Sequence, residues 1–109
     1  MISKNLSAAT TKAIILGILK HRKNYGYLIL RNIKEISGGR IEWSDGMLYP
    51  VLHRLENDGF IRSEWKMSEE SRPRKYYMIT NAGRRELINE KEQWRQINSV
   101  LLKIWKLNP

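Results

Sequence analysis

Residues 44–60, SDGMLYPVLHRLENDGF, constrain the fold more than any other stretch, because they suit a short helix with two faces of different chemistry. On a helical period of about 3.6 residues, Leu48, Val51, Leu52 and Leu55 form one apolar stripe. Gly46, Tyr49, Pro50, His53 and Asn57 point away from it. The stripe demands a core on one side and leaves the other free to present polar groups. Ser44 or Asp45 is placed to cap the helix, Pro50 restricts it to a short element or its first turns, and Gly59 stops it.

The flanking sequence supplies that core. A first helix is predicted over residues 7–21, capped by Ser7, with Ile14, Ile15, Ile18 and Leu19 turned inward. The segment HRKNYG turns the chain into a second helix over 27–36, buried through Leu28, Ile29, Ile33 and Ile36 and ended by Ser37-Gly38-Gly39. Residues 40–43 read as a short extended piece. Over 60–67, Ile61, Ser63, Trp65 and Met67 alternate with Arg62, Glu64 and Lys66, the pattern of a half-buried strand. A return strand over 75–79 sets Tyr77 and Ile79 against Tyr76 and Met78, with a loop from about Ser68 to Pro73. Thr80 caps a final helix that runs almost to the end. The order helix, helix, helix, hairpin, helix predicts a mainly α fold with a small β-hairpin (α+β), divided into residues 1–79 and a last helix, 80–109, within one compact unit.

Charge narrows the function. Twenty basic against eleven acidic residues leave a formal charge of +9, which favours a polyanionic partner. The chain has no cysteine, which excludes disulfides and thiolate metal or redox chemistry and fits a reducing cytoplasm. The apolar run from Ala13 to Leu19 is too short to span a bilayer and is followed, not preceded, by charge, so neither a membrane anchor nor a signal peptide is expected. His21 and His53 show no metal-binding spacing, and no nucleophile motif accompanies them, so no enzyme is expected. Glu42 and Asp45 are read as a solvated carboxylate and a helix cap, with no metal site and no cofactor.

Candidate contacts lie on the outer face of the third helix and on the hairpin. Ser44 is a cap or a donor to a base edge or phosphate; Tyr49 is an amphipathic surface ring or a phosphate or thymine-methyl contact. His53 is a solvated residue or a phosphate donor. Arg54 has Glu56 and Asp58 near enough for an ion pair, the plainer alternative to a phosphate contact. Arg72, Arg74 and Lys75 place three cations at the hairpin tip, suited to straddling a nucleic-acid backbone, with Glu69 and Glu70 opposing them. An RNA-binding module is disfavoured for want of an exposed aromatic sheet or a glycine-rich clamp.

Three blocks, YGYLILRNI, GMLYPVLHRLENDGFI and RPRKYYMITNAGRREL, resemble the PadR family of transcriptional regulators over nearly the whole chain. That resemblance implies a winged helix-turn-helix in residues 1–79, with the hairpin loop as the wing. It also implies a homodimeric repressor that binds a palindromic operator in double-stranded DNA. Tyr49 and the basic residues of RPRKYY carry over as DNA contacts. A single C-terminal helix looks like the short subfamily, in which the last helix pairs the subunits. A winged-helix module for protein assembly, with no specific DNA binding, is the competing expectation.

The last helix has its own pattern. Leu87, Trp94 and Leu101 recur every seven residues and Ile97 and Ile104 occupy the alternate seam positions, the spacing of a helix packed on another helix. Glu90 interrupts the pattern at its start. In some short-subfamily members that the chain resembles, a tryptophan at the place of Trp94 lines a cavity at the dimer axis and stacks on flat, often cationic, drugs, which makes a planar aromatic effector one expectation and a plain interface aromatic the other. Lys91 and Arg95, if they face that cavity, disfavour cationic compounds.

Overall fold

The computed structural model describes residues 2–107. Helix α1 spans Lys4–His21 and is capped by Ser3, whose Oγ accepts the Leu6 amide at 3.2 Å. Ser7, expected as the cap, lies buried inside the helix. Both serines have the chemistry of a cap; the register that buries Ile15, Leu16 and Leu19 adds a turn before Ser7 and selects Ser3.

A two-residue strand, β1 (Asn24–Tyr25), leads into α2 (Gly26–Ile36), and α3 covers Asp45–Asn57. Ile29 and Ile33 bury α2, whereas Ile36, expected inside, stands 79% exposed at its last residue. In α3 the Ser44 Oγ accepts the Met47 amide at 3.3 Å, and Leu48, Val51, Leu52 and Leu55 are buried as the period requires. Pro50 sits within α3 on its exposed face, where the missing amide leaves the Gly46 carbonyl without its in-helix donor but beside solvent. Gly59, at φ 81°, ends the helix: its amide bonds Glu56 O and the Phe60 amide bonds Leu55 O, each at 3.0 Å, which satisfies two terminal carbonyls.

Strands β2 (Ile61–Met67) and β3 (Pro73–Ile79) pair antiparallel, from Ile61 opposite Ile79 to Met67 opposite Pro73. Strand β1 adds to the other side of β3, with Asn24 opposite Tyr77, so the sheet order is β1-β3-β2. The apolar face of β2 is buried at Ile61, but Trp65 and Met67, expected half-buried, are 69% and 70% exposed. The hairpin is longer than the core beneath it, and its outer half stands clear of the domain.

Helix α4 (Asn81–Trp105) is capped by Thr80, whose hydroxyl accepts the Gly83 amide at 3.0 Å and donates to Gly59 O at 2.6 Å. Its 25 residues span about 37 Å at about 1.5 Å each, and they draw the molecule out to 59 × 29 × 21 Å. Leu87 is buried against the core; Trp94 is half-buried, and the residues beyond it as far as Leu107 are exposed.

Candidate nucleic-acid interface

The outer face of α3 carries Tyr49, Pro50, His53, Arg54 and Asn57, all exposed. Ser44 is also exposed and serves as the cap; because its oxygen accepts from Met47, its own O–H stays available to donate. Arg54 pairs with neither Glu56 nor Asp58 among the described residues. Glu56 turns toward the hairpin instead, where it accepts the Ser63 hydroxyl at 2.5 Å and lies 3.9 Å from Lys75 Nζ. Arg54 is thereby left facing outward.

Tyr49 is held by a contact that the sequence did not disclose. A Cβ built on Gly26, the first residue of α2, falls on the Tyr49 phenol: 2.7 Å from Cζ, 3.0 Å from Cε1 and closer still to the hydroxyl. Glycine at this place lets the ring lie against the start of α2, where side chains of the ordinary kind collide. That helix start has no side-chain cap from Tyr25 and no acidic residue in its first turn, so its amides keep their positive character. Around it Tyr25, Tyr27, Tyr49, Trp65, Arg74 and Lys75 line a cleft of about 430 Å³ between α2, α3 and the hairpin.

The three hairpin cations differ in their freedom. Arg72 is exposed in the loop, which is closed by Ser68 N to Arg72 O at 2.7 Å and has Ser71 at φ 59°. Arg74 is folded back: its Nη2 donates to Glu70 at 2.8 Å and its Cζ lies 4.2 Å from the centre of the Tyr25 ring. Glu70 therefore holds one cation in place. Lys75 lies 5.6 Å over Tyr77 and beside Glu56. Lys23 joins this surface from the segment before β1, reaching Glu64 at 3.8 Å while Lys66 reaches the same carboxylate at 2.9 Å. Lys66 pushes the Lys23 ammonium below its ordinary pKa, as expected where two cations share one acid. Only the antiparallel register brings Lys23 to the hairpin, so no local pattern marks it.

On the opposite side, Trp94 lines an open groove of about 470 Å³ with Ala13, Gly17, Leu87, Lys91, Arg95 and Asn98. Lys91 and Arg95 line it, and Lys20 above all, with desolvation and a smaller contribution from Arg95, pushes Lys91 below its usual pKa. Leu87 closes the inner end, whereas Ile97, Leu101 and Ile104 lie beyond on the exposed part of α4.

A helix buried on one face and polar on the other, backed by a second helix and flanked by a basic hairpin, defines a winged helix-turn-helix, the architecture of DNA-binding regulators. Residues 15–89 match the Transcriptional regulator PadR-like family. The solved structure of a transcriptional regulator from Clostridium thermocellum is similar at 30% identity and TM-score 0.86, covering 94% of this chain and 97% of that one. A PadR family regulator from Eggerthella lenta matches at 31% identity and TM-score 0.84, over 95% and 88% of the two chains. A transcriptional regulator of Mycobacterium tuberculosis is 38% identical over 69 residues, 63% of this chain and 64% of that protein. The chain belongs to the PadR-like family of transcriptional regulators, proteins that bind DNA and are not enzymes. Among the described residues no helix is long and apolar enough to cross a membrane.

Proposed function

We propose that this protein is a homodimeric repressor that lays α3 of each copy in the major groove of a palindromic operator and sets the hairpin against the adjoining backbone, in the cytoplasm. The observation that carries this is the convergence, in one cleft, of the uncapped α2 start, Tyr49 and Lys75, with Arg54 of α3 and Arg72 of the hairpin loop both exposed. Amides at a helix start, a phenol hydroxyl and an ammonium form a seat for a phosphate, and it fixes how α3 meets the groove. Ser44 and His53 complete the contact face. The homodimer is supported by α4, whose seam residues Ile97, Leu101 and Ile104 are 50%, 36% and 55% exposed and give a chain of this size a large apolar surface to cover.

The effector of this repressor is a planar aromatic molecule bound against Trp94. The Lys91 and Arg95 charges at that groove favour neutral or anionic compounds over cations. Such a ligand releases DNA by preferring a dimer in which the two α3 helices no longer match their half-sites. Sedimentation and an electrophoretic shift with the DNA upstream of the protein's own coding region test the proposal. A dimer that shifts this DNA in preference to random duplex is expected. A monomer, or a dimer indifferent to duplex DNA, refutes it and favours an assembly module. Trp94→Ala should lose most dye binding by calorimetry and remain dimeric; unchanged affinity removes Trp94 as the ligand platform.

A further inference from the structure

The outer half of the hairpin shows apolar side chains to water. Residues opposite one another in an antiparallel pair share a face, so Ile61, Ser63, Trp65 and Met67 of β2 lie on the same side as Ile79, Tyr77, Lys75 and Pro73 of β3. Near the core this face packs on α3: Ile61 and Tyr77 are buried, and Ser63 and Lys75 both reach Glu56. Farther out the face runs past the helix, and Trp65, Met67 and Pro73 form a bare apolar strip. The other face carries Glu64, Lys66 and Arg74, each tied in an ion pair. A hairpin that only projects into solvent has no use for a bare indole, a side chain that buries roughly 150–250 Å² where it finds a partner.

The surroundings of the strip say what covers it. Trp65 and Pro73 line the same cleft as Tyr49, Lys75 and the α2 start, so the strip continues the surface proposed above to meet DNA. Arg72, next to Pro73 in the chain, and Lys75, opposite Trp65, give it a cationic rim. A second copy of the hairpin laid there would bring these cations against their own kind. The surface that satisfies both the strip and its rim has apolar walls between rows of negative charge. That describes the minor groove, where deoxyribose and base edges lie between two phosphate backbones. The position agrees: a backbone seated in the cleft separates the major groove that holds α3 from the groove on the hairpin side, which is the minor one.

We propose that this strip is an apolar wedge: Trp65 and Met67 enter the minor groove beside each half-site, part the stacking of one base step and kink the operator, an inference that rests on the repressor reading above. The cations of the rim hold the backbone on either side, and the wedge deforms what lies between. The energy of that deformation depends on the step and is low at flexible pyrimidine–purine steps such as TA and CA. The hairpin therefore selects sequence at a position where it makes no hydrogen bond to a base. The α3 face reads the half-site, and Trp65 and Met67 read its flank through stiffness.

The upstream duplex, labelled at both ends for energy transfer and carrying a fluorescent adenine analogue at the flanking steps, tests this through its bend and through the brightening that follows unstacking. Wild-type protein should bend the duplex by about 20° or more and brighten the analogue beside each half-site. The double variant Trp65→Thr, Met67→Thr changes two exposed strand positions to a residue that suits a strand, and should keep the circular dichroism and melting of the wild type. It should bind with the same salt slope, because no cation is removed, yet leave the duplex straight and the analogue dark. Replacing the brightened step by a stiff A-tract should cost the wild type about tenfold in affinity and the variant less than about twofold. A variant that bends the duplex as the wild type does, or a wild type that prefers the upstream duplex and leaves it straight, overturns the wedge while the repressor reading stands. A wild type with no preference for the upstream over a scrambled duplex overturns that reading and the wedge with it.

Discussion

Gly26→Ala should separate DNA binding from folding. The added methyl group falls 2.7 Å from the Tyr49 Cζ and 3.0 Å from Cε1, so either α2 or the ring must move. Tyr49 is 45% exposed, and its ring can swing into solvent, which puts the overpacking penalty at the low end of the usual range, about 1 kcal/mol. Alanine at a helical position returns roughly 0.5–1 kcal/mol relative to glycine. The net change in stability is therefore near zero, and the melting temperature should move by no more than about 4 °C. Operator binding should weaken by about 1–3 kcal/mol, the worth of a well-placed contact, which is roughly 5- to 150-fold. Fluorescence anisotropy on labelled operator, beside a thermal melt, reads both quantities. A double variant, Gly26→Ala with Tyr49→Phe, should lose less than the sum of the single losses if both act through the phenol. Unchanged operator affinity in Gly26→Ala would refute the claim that the ring's position matters.

The free and tethered cations of the hairpin should behave differently. Arg72→Ala is expected to weaken binding to all duplexes and lower the salt slope by about one unit, whereas Arg74→Ala also loosens the Glu70 and Tyr25 contacts and should increase hydrogen exchange in the hairpin. Leu52→Ala, at a fully buried place on α3, should destabilise the fold by about 2–5 kcal/mol in denaturant titrations. The Asn89 amide, then the Lys12 ammonium at 3.1 Å, holds the Glu86 carboxyl below its ordinary pKa of 4.5. A carboxylate lowered on folding stabilises above that pH and loses its contribution as pH falls through the folded value, so Glu86→Gln should flatten the decline in melting temperature below about pH 4.5.

The residues of α3 were legible because each of its boundaries is local: Ser44 caps it, Gly59 stops it, and the Leu48 to Leu55 stripe has one period. The hairpin was legible through its alternation, and Thr80 marked the start of α4. Strand β1 was not, since two residues carry no period and its pairing with Tyr76 and Tyr77 is decided across the chain. The exposure of Trp65, Met67 and Ile36 depends on how far each element outruns the core, which composition does not encode. The same holds at the candidate interface. Residue type pointed to Tyr49 and the basic hairpin, but the role of Gly26, the tether of Arg74 by Glu70 and the release of Arg54 arise from contacts between elements.

The central claim is that the α3 face and the hairpin read one DNA sequence by bases as well as backbone. Anisotropy titrations of the upstream duplex and of a scrambled duplex of equal length, each repeated from low to high salt, test it most directly. Both duplexes should lose affinity linearly in log salt, with a slope of about 0.9 for each phosphate neutralised. The upstream duplex should hold an advantage of roughly a thousandfold or more that survives as salt rises. Equal affinities for the two duplexes at every salt concentration would contradict sequence reading, and binding indifferent to salt would contradict the phosphate seat.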